Sequence, residues 1–192
     1  MNTNWKIRTL RAASLAAAAL LSLAACNDSN NDVHKVFGTA LSVVNGAVQA
    51  QRDFVVFDLA QPANAAPVAT GKSDSNGKFE FSLKGILHVY IVFPPTSNPS
   101  DPRTSGLATL AGGDAVKTLK DETDIACVAG VTAVYSGGLD PALLDATRIA
   151  NLEAAARIVI DQGGVDFSSS DSVNAAAAQV RTMTNDGAHP PS

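Results

Sequence analysis

Tryptophan, cysteine and histidine are scarce in this chain. The one tryptophan is Trp5, the cysteines are Cys26 and Cys127, and the histidines are His34, His88 and His189. The histidines are far apart and match no metal-ligand spacing, so neither a metal nor another cofactor is expected. Long apolar runs are missing too. The most apolar stretch, residues 12–23, is broken by Ser14 and Ser22, and about a dozen residues fall short of the roughly 20 that a bilayer-spanning helix needs. Basic charge is the minority: 14 Lys and Arg stand against 18 Asp and Glu, a net charge of −4. With no clustered basic face, nucleic acid is excluded as a partner. Catalytic signatures are equally thin. Gly-x-Ser-x-Gly is absent. Gly71-Lys72-Ser73 has Ala66 where a phosphate loop requires glycine. Asp74-Ser75-Asn76-Gly77 has Lys72 and Leu83 where an EF-hand register needs acidic ligands, so a hairpin turn is the expectation there.

What the sequence does contain begins at its amino end. Lys6, Arg8 and Arg11 precede the apolar run, and no acidic residue occurs before Asp28. A cationic start, a short apolar run and small residues before a cut make a secretory signal. The run ends in Leu23-Ala24-Ala25-Cys26, followed by the polar hexapeptide Asn27-Asp28-Ser29-Asn30-Asn31-Asp32. Leu23-Ala24-Ala25-Cys26 resembles the lipobox of bacterial lipoproteins at every position. The resemblance implies recognition of Leu23, Ala24 and Ala25 by a lipoprotein signal peptidase and cleavage before Cys26. It also implies that Cys26 carries S-linked diacylglycerol and an N-acyl chain. Asn27, rather than Asp, at the next position points to the outer rather than the inner membrane. Ordinary cleavage near Ala25, leaving a free Cys26, is the competing reading.

Removal of residues 1–25 takes three cations and no anion, so the remainder carries 11 cations against 18 anions, a net charge of −7. It leaves Cys127 as the single thiol. Its neighbours Ile125, Ala126, Val128 and Ala129 are apolar, so Cys127 reads as a buried small hydrophobe.

Seven of the nine Phe and Tyr residues fall between Phe37 and Phe93, and alanine becomes dense after residue 121. Strands are therefore expected first and helices second. Residues 36–44 are rich in β-branched side chains and lead to an Asn45-Gly46 turn. Residues 47–59 form a second strand, 61–67 an Ala/Pro loop, and 68–73 a short edge strand. In residues 78–83, Phe79, Phe81 and Leu83 alternate with Lys78, Glu80 and Ser82, a half-buried strand. Residues 86–93 are apolar on both faces except for His88 and read as a central strand. A linker is expected over 96–103 and a further strand over 105–110. Asp121, Glu122 and Asp124 then favour a first helical turn, leading into a buried helix that ends at Ser136-Gly137-Gly138. Asp140-Pro141 reads as the next helix start. This helix carries an Ile149/Leu152/Ala156/Val159 stripe, pairs Glu153 with Arg157, and stops at Gly163-Gly164. A third helix starts near Ser169, with Val173, Ala176, Ala177, Val180 and Met183 as its stripe.

Gly46-Ala47-Val48, then Ser73-Asp74-Ser75-Asn76-Gly77-Lys78-Phe79, then the strand from Ile86 are similar to the carboxypeptidase regulatory-like domains. These are small β-sandwiches related to transthyretin. The similarity covers about a third of the chain and implies a fold and an accessory or binding role.

The expectation is an α+β chain: a small antiparallel β-sandwich followed by a three-helix segment. Its divisions are a signal (1–25), a lipidated tether (26–32), a sandwich domain (33–111), a helical region (112–187) and a tail (188–192). The expected function is a non-enzymatic envelope lipoprotein. It is held in the membrane by its lipid and works as a binding or scaffolding module for an unnamed envelope protein or small molecule. The alternatives are a glycan-binding module using Tyr90 or Tyr135, and a hydrolase pairing His88 with Cys127 or a carboxylate.

Overall fold

The computed structural model describes residues 32–41, 48–95 and 106–185. The chain divides into two units, Met1–Asp32 and Val33–Ser192, and the second holds every described strand and helix. Seven strands precede three helices: β1 (Val33–Ala40), β2 (Asp53–Asp58), β3 (Ala69–Lys72), β4 (Lys78–Lys84), β5 (His88–Phe93), β6 (Leu107–Gly112), β7 (Ala115–Leu119), α1 (Asp121–Tyr135), α2 (Ala146–Asp161) and α3 (Ser170–Thr184). The α+β class expected from the sequence is the class observed: a sandwich of a three-stranded sheet (β4-β1-β7) and a four-stranded sheet (β3-β2-β5-β6), followed by the helices.

All pairings between these strands are antiparallel except β1 with β7, which is parallel. β7 lies beyond residue 111, inside the stretch read as helical, so the sheets run on to Leu119. Its five residues are too few to show a clear period. The Asn45-Gly46 turn and the linker over 96–103 lie outside the described residues, although an antiparallel bridge between Leu41 and Val48 flanks the first.

The Asp74–Gly77 segment is a tight turn but not a hairpin. β3 pairs with β2, and β4 pairs with β1, so the turn carries the chain from one sheet to the other. Asp74 Oδ1 accepts from the amides of Asn76 (2.7 Å) and Lys78 (2.8 Å), and Gly77 takes φ +70°. A short polar side chain that mimics the backbone, together with a residue tolerant of positive φ, makes such a corner inexpensive. Gly113-Asp114 makes the same kind of crossing between β6 and β7.

Two cores result. Between the sheets lie Val36, Phe54, Val56, Phe79, Leu83, Val89, Ile91, Phe93 and Leu119. The Phe54 ring packs against Phe79, Phe81 and Phe93 at centroid distances of 5.4–5.9 Å. On the other face of the four-stranded sheet, Ala108 and Leu110 meet Ile125, Cys127, Leu152, Ala156, Ala177 and Val180 from the helices. β5 thus has a core on each face, as its apolar run requires, and β6 is buried on both faces although it lies at the sheet edge.

The helix starts follow side-chain caps. Thr123 Oγ1 accepts from the Lys120 amide at the head of α1 (2.9 Å) and donates to the Ala108 carbonyl of β6 (2.9 Å). Asp140-Pro141 starts only a single 3-10 turn, Pro141–Leu143. Leu144 leaves helical backbone geometry, at φ −83° and ψ 57°, and Asp145 is the real cap of α2. Positive φ at Gly163 and Gly164 ends that region. The α3 stripe is buried at Val173, Ala176, Ala177 and Val180, whereas Met183 is exposed.

Candidate functional site

Cys26, with Leu23, Ala24 and Ala25, lies outside the described residues. What the structure shows is the end of the domain into which that segment leads. Val33 pairs with Lys84 at the end of β4. Two residues on, the Lys35 amide donates to Asp114 Oδ1 (2.7 Å), and His34 Nδ1 stands 3.8 Å from the same oxygen. Gly113 N donates to the Leu87 carbonyl (2.6 Å), so the β4–β5 loop, the β6–β7 turn and the start of β1 are knitted together. Asp114 sets the parallel register in which Val36 stands opposite Ala115. Sequence reasoning passed over Asp114, although Gly112-Gly113-Asp114 is a turn signal.

The residues weighed for catalysis do not assemble. His88 Nδ1 lies 3.3 Å from the Leu144 carbonyl. Cys127 is buried on α1 among Leu110, Leu152 and other apolar side chains. The two make no hydrogen bond with each other. Burial pushes the Cys127 thiol well above its ordinary range, and the neighbouring Asp124 carboxylate adds to the shift. A thiolate is the reactive form, so this cysteine is chemically quiet. His34 and His88 sit on different sheets, and His189 is outside the described residues. Among the described residues no group of three or more His, Cys, Asp or Glu side chains is placed to hold a metal.

Tyr90 and Tyr135 do come together. Tyr90 projects from β5 towards the helices and stacks on Phe57, with centroids 4.9 Å apart and 16° between planes. Its hydroxyl neighbours that of Tyr135, whose own hydroxyl lies 3.5 Å from the Asp58 carbonyl. Burial, then the neighbouring Tyr135 and Cys127, pushes Tyr90 up to about 12. Burial followed by Asp58 raises Tyr135. One ring face of Tyr90 is therefore committed to Phe57, and the neighbouring tyrosine hydroxyls link the end of α1 to the four-stranded sheet.

A partly buried ion pair joins the other edge to the helices. Lys117 on β7 lies on the inward face, in register with Gly38, and its Nζ reaches Glu153 Oε1 on α2 at 2.8 Å. The expected Glu153–Arg157 pair is not formed; Arg157 instead pairs with Asp161 at 3.1 Å. The helical spacing permits either pairing, and Lys117 takes Glu153 because β7, unseen in the sequence, brings an amine to it.

No protein-family model and no curated protein matches this chain. No helix among the described residues is long and apolar enough to cross a membrane.

Proposed function

We propose that this chain is a lipid-anchored lipoprotein of the bacterial envelope. In this reading the domain from Val33 onward works as a non-enzymatic binding or scaffolding module for an envelope partner. The observation that carries the reading is Leu23-Ala24-Ala25-Cys26, placed after a cationic start and a short apolar run. The first described strand, β1, starts at Val33, directly after the polar hexapeptide. Acylation accounts for membrane attachment by additive burial, about 0.8 kcal/mol per methylene, and more than one chain gives stable anchoring. Asn27 after the cysteine favours the outer membrane. The likeness to carboxypeptidase regulatory-like domains supports an accessory role.

Metabolic labelling with palmitate tests the anchor. The unaltered chain is expected to incorporate label and to sediment with membranes, and Cys26→Ser to do neither. Unchanged labelling and sedimentation of Cys26→Ser would sink the reading.

A further inference from the structure

The end of the domain that receives the tether carries three exposed apolar side chains; of the others, Phe37 and Val116 lie opposite each other on β1 and β7, and Ile158 and Met183 lie on α2 and α3. Val33 pairs with Lys84, and Gly85 and Ile86 then lead to Leu87, whose carbonyl accepts from Gly113. The Leu144 carbonyl stands 3.3 Å from His88 Nδ1, and a Cβ at Gly112 would meet it at 2.9 Å. The turn carrying Leu143 therefore abuts the same end. Val33, Leu87 and Leu143 are 55%, 42% and 53% exposed, and the exposed side chains of Lys35 and Lys84 flank the first two, with the Asp114 carboxylate, held by the Lys35 amide, as the acid beside them.

We infer that this end, with Val33, Leu87 and Leu143 at its tip, seats on the lipid surface that holds Cys26. The inference rests on the proposed lipid anchor. Seven residue steps separate Cys26 from Val33, a reach of at most about 25 Å at full extension. A connector this short keeps the tip at an effective concentration of order millimolar at the bilayer. Partial insertion of three side chains, too weak to recruit a free domain, then suffices to orient a tethered one. Apolar tips enter the headgroup–acyl boundary while Lys35 and Lys84 meet lipid phosphates, the arrangement of interfacial anchoring. Val48, also exposed, lies by the Asp74–Gly77 corner at the far end of β1, where a Cβ on Gly77 would meet its Cγ1 at 2.4 Å. Seating at the tip leaves that corner facing away from the membrane.

The experiment uses the full acylated chain in vesicles of phosphatidylethanolamine and phosphatidylglycerol containing a spin-labelled lipid. In a Cys127→Ala background, an environment-sensitive fluorophore is placed at Leu87→Cys, Leu143→Cys or Val48→Cys. Quenching at positions 87 and 143 is expected to exceed that at 48 several-fold. The position 143 probe carries the reading if Leu87→Cys fails to fold. Equal quenching at the two ends, or stronger quenching at 48, overturns the seating while leaving the anchor intact. Failure of the acylated chain to sediment with vesicles overturns the anchor and the seating together.

Discussion

At Gly38 the sandwich has room for hydrogen and nothing larger. A Cβ there would stand 2.1 Å from Phe79 Cζ and 2.7 Å from the Lys117 carbonyl. The Phe79 ring lies across β1 at this point and fills the space that a side chain would otherwise take. Gly71 is roofed by Phe54 in the same way, at 2.4 Å. Gly38→Ala is expected to cost about 3 kcal/mol, at the upper end for overpacking, read as a fall in the urea midpoint. Loss of less than about 1 kcal/mol would mean that the ring moves freely. Tyr90 makes a prediction of another kind. Its folded pKa is raised from 10.0 to about 12, so the folded state holds the phenolic proton more tightly than the unfolded chain. Its contribution is complete below the ordinary value and is lost as pH rises through the folded value. Stability should fall between pH 10 and about 12, and Tyr90→Phe should flatten that fall in denaturation curves, with the remainder due to Cys127 and Tyr135. An identical slope in the variant would show that other groups govern it. The alternation of Phe79, Phe81 and Leu83 was legible because a strand repeats every two residues. The pairing of Gly38 with Phe79 was not, because it depends on which strand lies alongside β1.

Among the elements, α2 shows how a strong local signal can lose to tertiary placement. Asp140-Pro141 satisfies every rule for a helix start and yields one 3-10 turn, because Leu144 must turn inward to the core at 1% exposure. Asp145, which accepts from the Arg148 amide at 2.8 Å, caps the long helix. Asp145→Ala should therefore cost about 1 kcal/mol, and Asp140→Ala clearly less; the reverse order in thermal melts would contradict this assignment. α1 was readable at both ends, through first-turn acids and the Ser136-Gly137-Gly138 stop, and α3 at its start, through Ser169; α3 ends on Asn185 at φ +61°, ahead of Gly187, which lies outside the described residues. β7 was not, since Ala115-Val116-Lys117-Thr118-Leu119 gains its identity only by lying beside β1.

For the molecule as a whole, the helices are tied to the sheets by the Lys117–Glu153 pair at one edge and the tyrosine pair at the other. The ion pair is only 16% and 26% exposed at its two side chains, so its loss leaves a poorly solvated amine. Glu153→Gln should destabilise by about 2 kcal/mol, whereas breaking the exposed Arg157–Asp161 pair should change stability by less than about 0.5 kcal/mol. Equal effects in urea unfolding would deny Lys117 its docking role. The class and layer order of the fold were legible because aromatic-rich and alanine-rich halves separate cleanly along the chain. The candidate attachment was legible because it is a contiguous motif, whereas Asp114 and the tip around Leu87 needed three loops to meet.

The parallel pairing of β1 has a bearing on how the chain reaches its final form. Val36 stands opposite Phe81 on one side and Ala115 on the other, 45 and 79 positions further along. A ribosome delivers the amino end first, so one edge of β1 waits open until β4 has emerged and the other until β7, the last strand, follows. Open edges invite pairing with the wrong chain, and closure over such sequence distances is slow. The strand nearest the candidate lipid is thus the first made and the last enclosed, and a holding chaperone that shields it in transit would raise the yield of folded protein.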